Sequence, residues 1–277
     1  MQYILTYYPW ITQHKTPEDI RKNIEIFAGA LQEEIRINIS VAAALSVPDQ
    51  IKSIVRGESH IALMNPLGFA YAREENSQVA AAVVALRIID GKIGDSYFAQ
   101  IYTHSESGIK DLQGLKKSSI GYGTSQSTSN FIIPAFDLKH AGVHPFAAFT
   151  KIEFTGGHDK AAIAVYQRAL TAGAGHDGVI IDLSNQPGYE DAKEKLVTIH
   201  RSAPIPSDPV AINVGSEKDF EVLQRGLISV SQKSPGKEAM QEFWGNAQGL
   251  RDTTYKPYEY LVDAVNELAL SQQDIFE

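Results

Sequence analysis

Gly121-Tyr-Gly-Thr-Ser-Gln-Ser-Thr-Ser-Asn130 is the stretch that says most about the fold, and Phe131-Ile-Ile-Pro134 follows it directly. A β-like run stops at its glycines, and three hydroxyl residues, Ser127 to Ser129, then precede an apolar, helix-like segment. Glycine permits a tight turn, and Ser and Thr are good N-cap residues. A helix start offers unpaired N–H groups and the positive end of a dipole, so this turn is a candidate cradle for a small oxyanion. The alternative is a Ser/Thr-rich loop that only caps a helix.

The composition is that of a globular protein: 277 residues, 43% apolar and 21% charged. The net charge of -8 is unlike that of proteins that bind the phosphate backbone, so no nucleic-acid partner is predicted. A small anion remains compatible, because a few local dipoles outweigh the global charge. The absence of cysteine excludes disulfides and thiolate chemistry. The longest apolar stretch, near Val79–Leu86, is too short to span a membrane, and no signal segment is visible after Met1.

Strands that alternate with helices predict an α/β fold with largely parallel sheets. In the first block, Ile20, Ile24, Phe27 and Leu31 recur at helical spacing, which predicts a helix from Pro17 to about residue 34. A second block repeats the alternation from about residue 118. It includes a predicted helix over residues 158–172 and a predicted strand over residues 178–182.

The two blocks predict two lobes. Lobe one comprises residues 1–100 together with residues 205–277, and lobe two comprises residues 101–204. The chain then crosses between the lobes twice, which predicts a two-stranded hinge. A cleft between α/β lobes is a natural site for a small ligand.

A second turn, Gly156-Gly-His-Asp159, also follows a predicted strand of lobe two. Ligands of open α/β sheets bind beyond the carboxyl ends of the strands, so His158 and the Ser127 turn are predicted to face one cleft. The alternative for a lone histidine at this position is a structural helix cap.

Further candidates are Asp208, on the proline-rich segment Pro204–Pro209, and the aromatic residues Tyr8, Trp10 and Tyr97. The alternative for Asp208 is that its segment is only a rigid turn, and the alternative for the aromatic residues is half-buried packing. No serine, histidine or carboxylate pattern indicates catalysis, and no histidine spacing indicates a metal site. The sequence therefore predicts a protein that is not an enzyme and has no cofactor and no metal.

Four motifs in order resemble the phosphate, phosphite and phosphonate substrate-binding proteins of ABC transporters, the phosphonate-binding type. They are Ser105–Gly114, Ser127–Asn130, Gly157–Asp159 with Ala161–Val165, and Pro204–Pro209. Their order and spacing match over roughly residues 97–214. The resemblance implies a two-lobed periplasmic-binding-protein fold of type II that closes on its ligand.

The resemblance also implies the site. Ser127, Thr128 and Ser129 would bind the oxyanion together with His158 and Tyr97. Asp208 matches the family's aspartate at the second crossing. Beside it we expect four further residues in the cleft near the ligand's substituent: Tyr8, Trp10, Asn65 and Asp182. Asp182 is near the family's further carboxylate, which falls at about Leu183, but out of register with it.

The chain departs from the family pattern on the side that binds an ammonium group. Leu63-Met-Asn-Pro66 stands where aminoalkylphosphonate binders carry aromatics, and Gly173-Ala-Gly-His-Asp177 replaces the usual Gly-x-Val-Asp. We therefore expect a ligand with a small or uncharged substituent: phosphite, methylphosphonate or phosphate. Another small anion and a sensing role stay open. The resemblance further implies a membrane permease as partner, a monomer, and a periplasmic or membrane-anchored location outside the cytoplasm.

Overall fold

The computed structural model describes residues 2–8, 16–89, 91–245 and 247–276. It divides into two compact units. The first unit comprises Met1–Ser96 and Pro206–Val262, and the second unit comprises Tyr97–Ile205 and Asp263–Glu277. Among the described residues, no helix combines the length and the apolar character that a membrane crossing needs.

The elements follow in chain order. The strands are β1 Gln2–Tyr7, β2 Asn38–Ala43, β3 Ile61–Leu63, β4 Ala80–Ile89, β5 Lys92–Gly94, β6 Ser96–Tyr97, β7 Ala99–His104, β8 Ser119–Tyr122, β9 Lys151–Phe154, β10 Ala172–His176, β11 Leu196–Arg201, β12 Ile205–Pro206, β13 Pro209–Ile212 and β14 Gly249–Asp252. The α-helices are α1 Pro17–Ile35, α2 Val47–Val55, α3 Pro66–Glu75, α4 Ile133–His140, α5 His158–Tyr166, α6 Val179–Ser184, α7 Ala192–Lys195, α8 Glu217–Val230, α9 Gly236–Phe243, α10 Tyr260–Glu267 and α11 Gln272–Phe276. A π-helical turn, Thr128–Ile132, leads into α4.

The main sheet of the first unit has the strand order β14-β4-β13-β3-β1-β2, with β5 paired to β4. β1 is parallel to β2 and β3, whereas β13 and β14 run antiparallel to their neighbours. Helix α1 begins at a capping box between Thr16 and Asp19. It buries the predicted apolar stripe, of which Ile24, Phe27 and Leu31 have no exposed surface.

The sheet of the second unit has the order β11-β7-β10-β8-β9. β8 is parallel to β9 and β10, but β7 is antiparallel to both β10 and β11. The α/β class is as predicted, and the expectation of largely parallel sheets is wrong because both sheets are mixed.

One strand of the second sheet was predicted in the wrong place. The sequence predicted a strand over residues 178–182. In the structure the strand is β10, over residues 172–176, and residues 179–184 form helix α6. β10 lacks the branched residues that mark a strand, because Tyr102 of the neighbouring strand lies against its glycines. A Cβ atom on Gly173 would lie 2.7 Å from the Tyr102 ring.

The end of the chain packs differently from the predicted division, which gave all of residues 205–277 to lobe one. In the structure Asp263–Glu277 belong to the second unit. Ile275 is fully buried, and its carbonyl oxygen accepts a hydrogen bond from Ser125 Oγ at 2.6 Å. His140 Nε2 of α4 also lies 3.2 Å from a carboxylate oxygen of Glu267.

A small separate sheet pairs β6 with β12. These strands contain the two points, Ser96–Tyr97 and Ile205–Pro206, at which the chain passes from one unit to the other and back. The sequence predicted two crossings and a pair of strands there. The chain crosses once more after Val262, within α10.

Candidate functional site

Two turns leave the carboxyl edge of the second sheet side by side. They follow β8 and β9, which are parallel neighbours. The N–H of Gly156 in the second turn donates to the carbonyl oxygen of Gly123 in the first, at 2.8 Å. β10 is parallel to β8 and ends at the same edge. This is the edge at which α/β sheets bind their ligands.

The first turn ends at Ser127, which caps the π-helical turn Thr128–Ile132. Its Oγ accepts a hydrogen bond from the N–H of Asn130 at 3.1 Å. Thr128 and Ser129 are only 3% and 4% exposed. The first N–H groups of a helix point beyond its end as donors, so hydroxyl and amide donors lie close together here.

Asn130 fixes this helix start to the sheet. Its side-chain Nδ2 donates to the carbonyl oxygen of Ala174 in β10 at 2.8 Å, and the residue has no exposed surface. A Cβ atom on Gly123 would lie only 2.2 Å from Asn130 Oδ1. Glycine is therefore required at residue 123, because any side chain would displace the amide that holds the helix start.

His158 is the first residue of α5, and it meets the first turn. Its Nε2 atom lies 3.5 Å from Ser127 Oγ. Its Nδ1 atom accepts a hydrogen bond from the main-chain N–H of His176 at 3.2 Å. Since Nδ1 is an acceptor, the neutral ring carries its hydrogen on Nε2, on the side of Ser127. The structure thus brings together the two helix starts that the sequence singled out.

The charge of His158 is set by its surroundings. Burial of the ring and, to a smaller extent, the neighbouring His176 lower its pKa from 6.5 to about 3, against the opposing effect of Asp159. His158 is therefore neutral at physiological pH. Its Nε2–H group, the Ser127 hydroxyl and the helix amides are uncharged donors of the kind that can bind an oxyanion.

His176 lies behind His158 and was not among the predicted site residues. The two ring centroids are 4.8 Å apart. His176 Nδ1 accepts from the N–H of Gly178 at 3.1 Å, and its Nε2 lies 3.5 Å from Asp182 Oδ2. The predicted residue Asp182 is thus beside His176, with 64% of its side chain exposed. One feature of the sequence could have identified His176 as a site residue: it lies in Gly173–Asp177, a segment that departs from the family pattern.

The other predicted residues lie elsewhere. Tyr97 is half-buried in β6, at the start of the second unit. Tyr8 directly follows β1 and Asn65 stands two residues after the end of β3, both in the first unit, and Asp208 directly precedes β13. β1 and β3 are parallel and β13 is antiparallel to them, so these three residues share one edge of the first sheet. Trp10 lies outside the described residues.

Asp208 forms an ion pair with Arg87 of the same unit. Arg87 Nε also donates to Ser207 Oγ at 2.9 Å. Arg87 was not predicted as a functional or structural partner, although it is a lone charge near the end of an apolar strand. The carboxylate of Asp208 is therefore already bound by a cation within the first unit.

The second unit also contains a cavity of about 500 Å³ beside the two turns. Its lining residues are Gly123, Thr124, Ser125, Phe131, Phe146, Phe154, Gly156, Leu270 and Asp274. No group of three or more His, Cys, Asp or Glu residues in the described part of the chain could hold a metal ion.

Solved structures of similar fold come from several bacteria. XAC2383 from Xanthomonas citri, bound to chloride ion, has a TM-score of 0.79 at 15% identity, over 97% of this chain and 98% of that one. PhnD1 from Prochlorococcus marinus (MIT 9301), in complex with methylphosphonate, has a TM-score of 0.77 at 17% identity, over 97% and 98%. PA3383 from Pseudomonas aeruginosa, a binding protein component of an ABC phosphonate transporter, has a TM-score of 0.70 at 17% identity, over 97% and 86%. At these identities the likeness shows the fold, that of periplasmic binding proteins.

The sequence itself matches a family model. The model describes the periplasmic substrate-binding protein of phosphonate ABC transporters, and the match covers residues 10–258. Members of this family bind small ligands and work with a membrane permease. Because the match extends over most of the chain, this protein belongs to the phosphonate ABC-transporter substrate-binding family.

Proposed function

We propose that this protein captures a small phosphorus oxyanion for an ABC importer, and that Ser127, Thr128, Ser129 and His158 bind the oxyanion. The supporting observation is the 3.5 Å approach of His158 Nε2 to Ser127 Oγ at the start of a helix. A tetrahedral oxyanion presents several acceptor oxygens, which suits donors from two helix starts. Charge-assisted hydrogen bonds of this kind are about twice as strong as neutral ones.

The ligand's substituent is proposed to be small and uncharged, as in methylphosphonate, phosphite or phosphate. An ammonium group needs a carboxylate, and Asp208 is already paired with Arg87. Asp182 is largely exposed to solvent and lies against His176. The complex of PhnD1 with methylphosphonate, on the same fold, is consistent with this choice.

Calorimetric titration with methylphosphonate, phosphite, phosphate and aminoethylphosphonate tests the proposal. We expect one of the first three to bind tightest. Ser127→Ala is expected to weaken that binding by about tenfold or more, because a hydrogen bond to a charged group contributes about 1.5–3 kcal/mol. Ser118→Ala is the matched control. It lies in the same unit before β8, and its hydroxyl donates to a carbonyl oxygen, that of Leu115.

Two outcomes would overturn the proposal. If none of the four compounds binds, the ligand class is wrong. If Ser127→Ala and Ser118→Ala bind the preferred compound equally well, the site is wrong.

A thermal-shift panel with sulfate and methanesulfonate added covers the alternative of another small anion. A ligand of micromolar affinity, at a free concentration one hundred times its Kd, adds about 2.7 kcal/mol to the free energy of unfolding.

The proposal also covers the protein's role in the cell, its location and its oligomeric state. We propose a non-enzymatic protein, monomeric and working outside the cytoplasm, with transport rather than sensing as its role. Growth on the preferred compound as the sole phosphorus source, lost on gene deletion, would support transport. Retained growth together with altered gene expression would favour a sensing role. Light scattering coupled to size-exclusion chromatography measures the oligomeric state. Tyr97, Tyr8, Asn65 and Asp208 stay predictions as ligand contacts.

A further inference from the structure

His176 and the segment after it support His158 through a chain of hydrogen bonds. The N–H of Gly178 donates to His176 Nδ1 at 3.1 Å, and the N–H of His176 donates to His158 Nδ1 at 3.2 Å. His158 Nε2 then lies 3.5 Å from Ser127 Oγ. Each ring thus has its Nδ1 atom occupied by a main-chain donor. The hydrogen bond from the Gly178 N–H to His176 Nδ1 closes a turn between a side chain and the main chain two residues later, and asparagine side chains form the same kind of turn.

We propose that His176 is a positioning residue of the oxyanion site, which holds His158 as a neutral donor with its hydrogen on Nε2. The inference rests on the proposed function for its ligand. The ring of His176 fixes the turn at residues 176–178, and the turn aims the His176 N–H at His158. Asp182 supports the other side of the ring, since its Oδ2 lies 3.5 Å from His176 Nε2.

Protonation of His158 is opposed by this arrangement. A proton on Nδ1 would face the N–H of His176, so two donors would meet. The charged and titratable groups around the two rings are Asp159 on α5, Asp182 on α6, and Asp177, which pairs with Arg201 of β11 at 3.8 Å. The low pKa of His158 agrees with the geometry. The oxyanion is therefore met by the same hydrogen-bond donor at every pH in the physiological range.

His176→Asn and His176→Gln form a matched pair of variants. Asparagine places a carbonyl oxygen where Nδ1 stands and can accept from the N–H two residues on, whereas glutamine is one methylene longer and does not form that turn. We expect His176→Asn to bind methylphosphonate within about twofold of the wild type. We expect His176→Gln to bind it about three- to tenfold more weakly at pH 7.5, the loss of roughly one hydrogen bond's support.

The pH profile separates positioning from general damage. Burial lowers the pKa of His158 in both proteins, but once Nδ1 is released the bound anion beside the ring favours uptake of a proton as the pH falls, and a cation attracts the anionic ligand. The deficit of His176→Gln relative to the wild type is therefore expected to shrink between pH 7.5 and pH 5.5. Comparison of the two proteins at each pH cancels the ionisation of methylphosphonate itself.

Nitrogen NMR of the imidazole rings gives a readout without ligand. In the wild type and in His176→Asn, His158 should show one tautomer, with the hydrogen on Nε2. In His176→Gln it should show mixed tautomers or titrate. Equal affinities and one unchanged His158 tautomer in both variants would overturn the inference. Failure of the wild type to bind methylphosphonate or inorganic phosphate would instead overturn the proposed function, and the NMR result would still decide the role of His176.

Discussion

The guanidinium group of Arg87 and the carboxylate of Asp208 form an ion pair at the edge of the first sheet. Both side chains are mostly buried, with 24% and 21% of their surface exposed. The main chains of the two strands are also joined there, because the N–H of Ala85 donates to the carbonyl oxygen of Asp208 at 3.0 Å. Asp208 therefore helps to fix β13 against β4, whatever its role toward a ligand.

Asp208→Ala is expected to lower the free energy of unfolding in the absence of ligand. The substitution leaves the partly buried guanidinium of Arg87 without its carboxylate, which costs about 1–3 kcal/mol. Urea denaturation of the ligand-free protein measures the change.

The matched control for Asp208→Ala is Glu58→Ala in the same unit. Glu58 lies 3.8 Å from Arg56 in a pair whose side chains are 61% and 65% exposed. Such surface pairs contribute about 0–1 kcal/mol, so little change is expected. If Asp208→Ala kept full stability and lost only ligand affinity, Asp208 would be a ligand contact rather than a structural anchor.

His158 makes the ligand-free protein sensitive to acid. Its pKa is about 3 in the folded protein and near 6.5 in the unfolded chain. The unfolded state therefore binds the proton first, so the contribution of His158 to stability is complete above about pH 6.5 and declines as the pH falls toward 3. The slope is at most about 1.4 kcal/mol per pH unit. His158→Gln should lose less stability than the wild type between pH 7 and pH 5. Equal losses in urea denaturation would show that His158 does not stay neutral.

Elements with a strong local pattern could be predicted from the sequence. The predicted helix from Pro17 to about residue 34 is α1, Pro17–Ile35, because its capping box and apolar stripe are both local features. β10 could not be predicted, since its Ala-Gly-Ala-Gly residues are selected by the Tyr102 ring, about 70 residues earlier in the chain. Residues 179–181, Val-Ile-Ile, have strand propensity but begin α6.

The turns that form the candidate site could be predicted from the sequence, but the contacts between their residues could not. Hydroxyl residues before a helix and a histidine at a helix start are visible in the sequence, and they identified Ser127 and His158. The hydrogen bond from His176 to His158 joins a main-chain atom to a ring nitrogen 18 residues away. No side-chain pattern encodes a bond of that kind. The Arg87–Asp208 pair likewise depends on the register of β4 and β13.

Gly123→Ala is expected to destabilise the protein and disturb the helix start. The new methyl group would lie 2.2 Å from Oδ1 and 2.6 Å from Cγ of Asn130, whose amide is held by Ala174. Overpacking of this kind costs about 1–3 kcal/mol.

Gly29→Ala is the matched control for Gly123→Ala. Gly29 is exposed in α1, with nothing within 4 Å of its added Cβ, so alanine should stabilise the protein by about 0.5–1 kcal/mol. Thermal unfolding should therefore shift in opposite directions for the two variants. Equal stability of Gly123→Ala and the wild type would mean that Asn130 does not anchor the turn.

Ile275 tests whether the end of the chain belongs to the second unit. It has no exposed surface, and the hydrogen bond from Ser125 to its carbonyl oxygen connects α11 to the turn that leads to Ser127. Ile275→Ala removes buried apolar surface and is expected to lower the free energy of unfolding by about 2–5 kcal/mol. Ile181→Ala, at a position 51% exposed in the same unit, should change it by no more than about 0.5 kcal/mol. If urea denaturation gave the same midpoint for both variants, α11 would not be part of this core, and the turn before Ser127 would need another support.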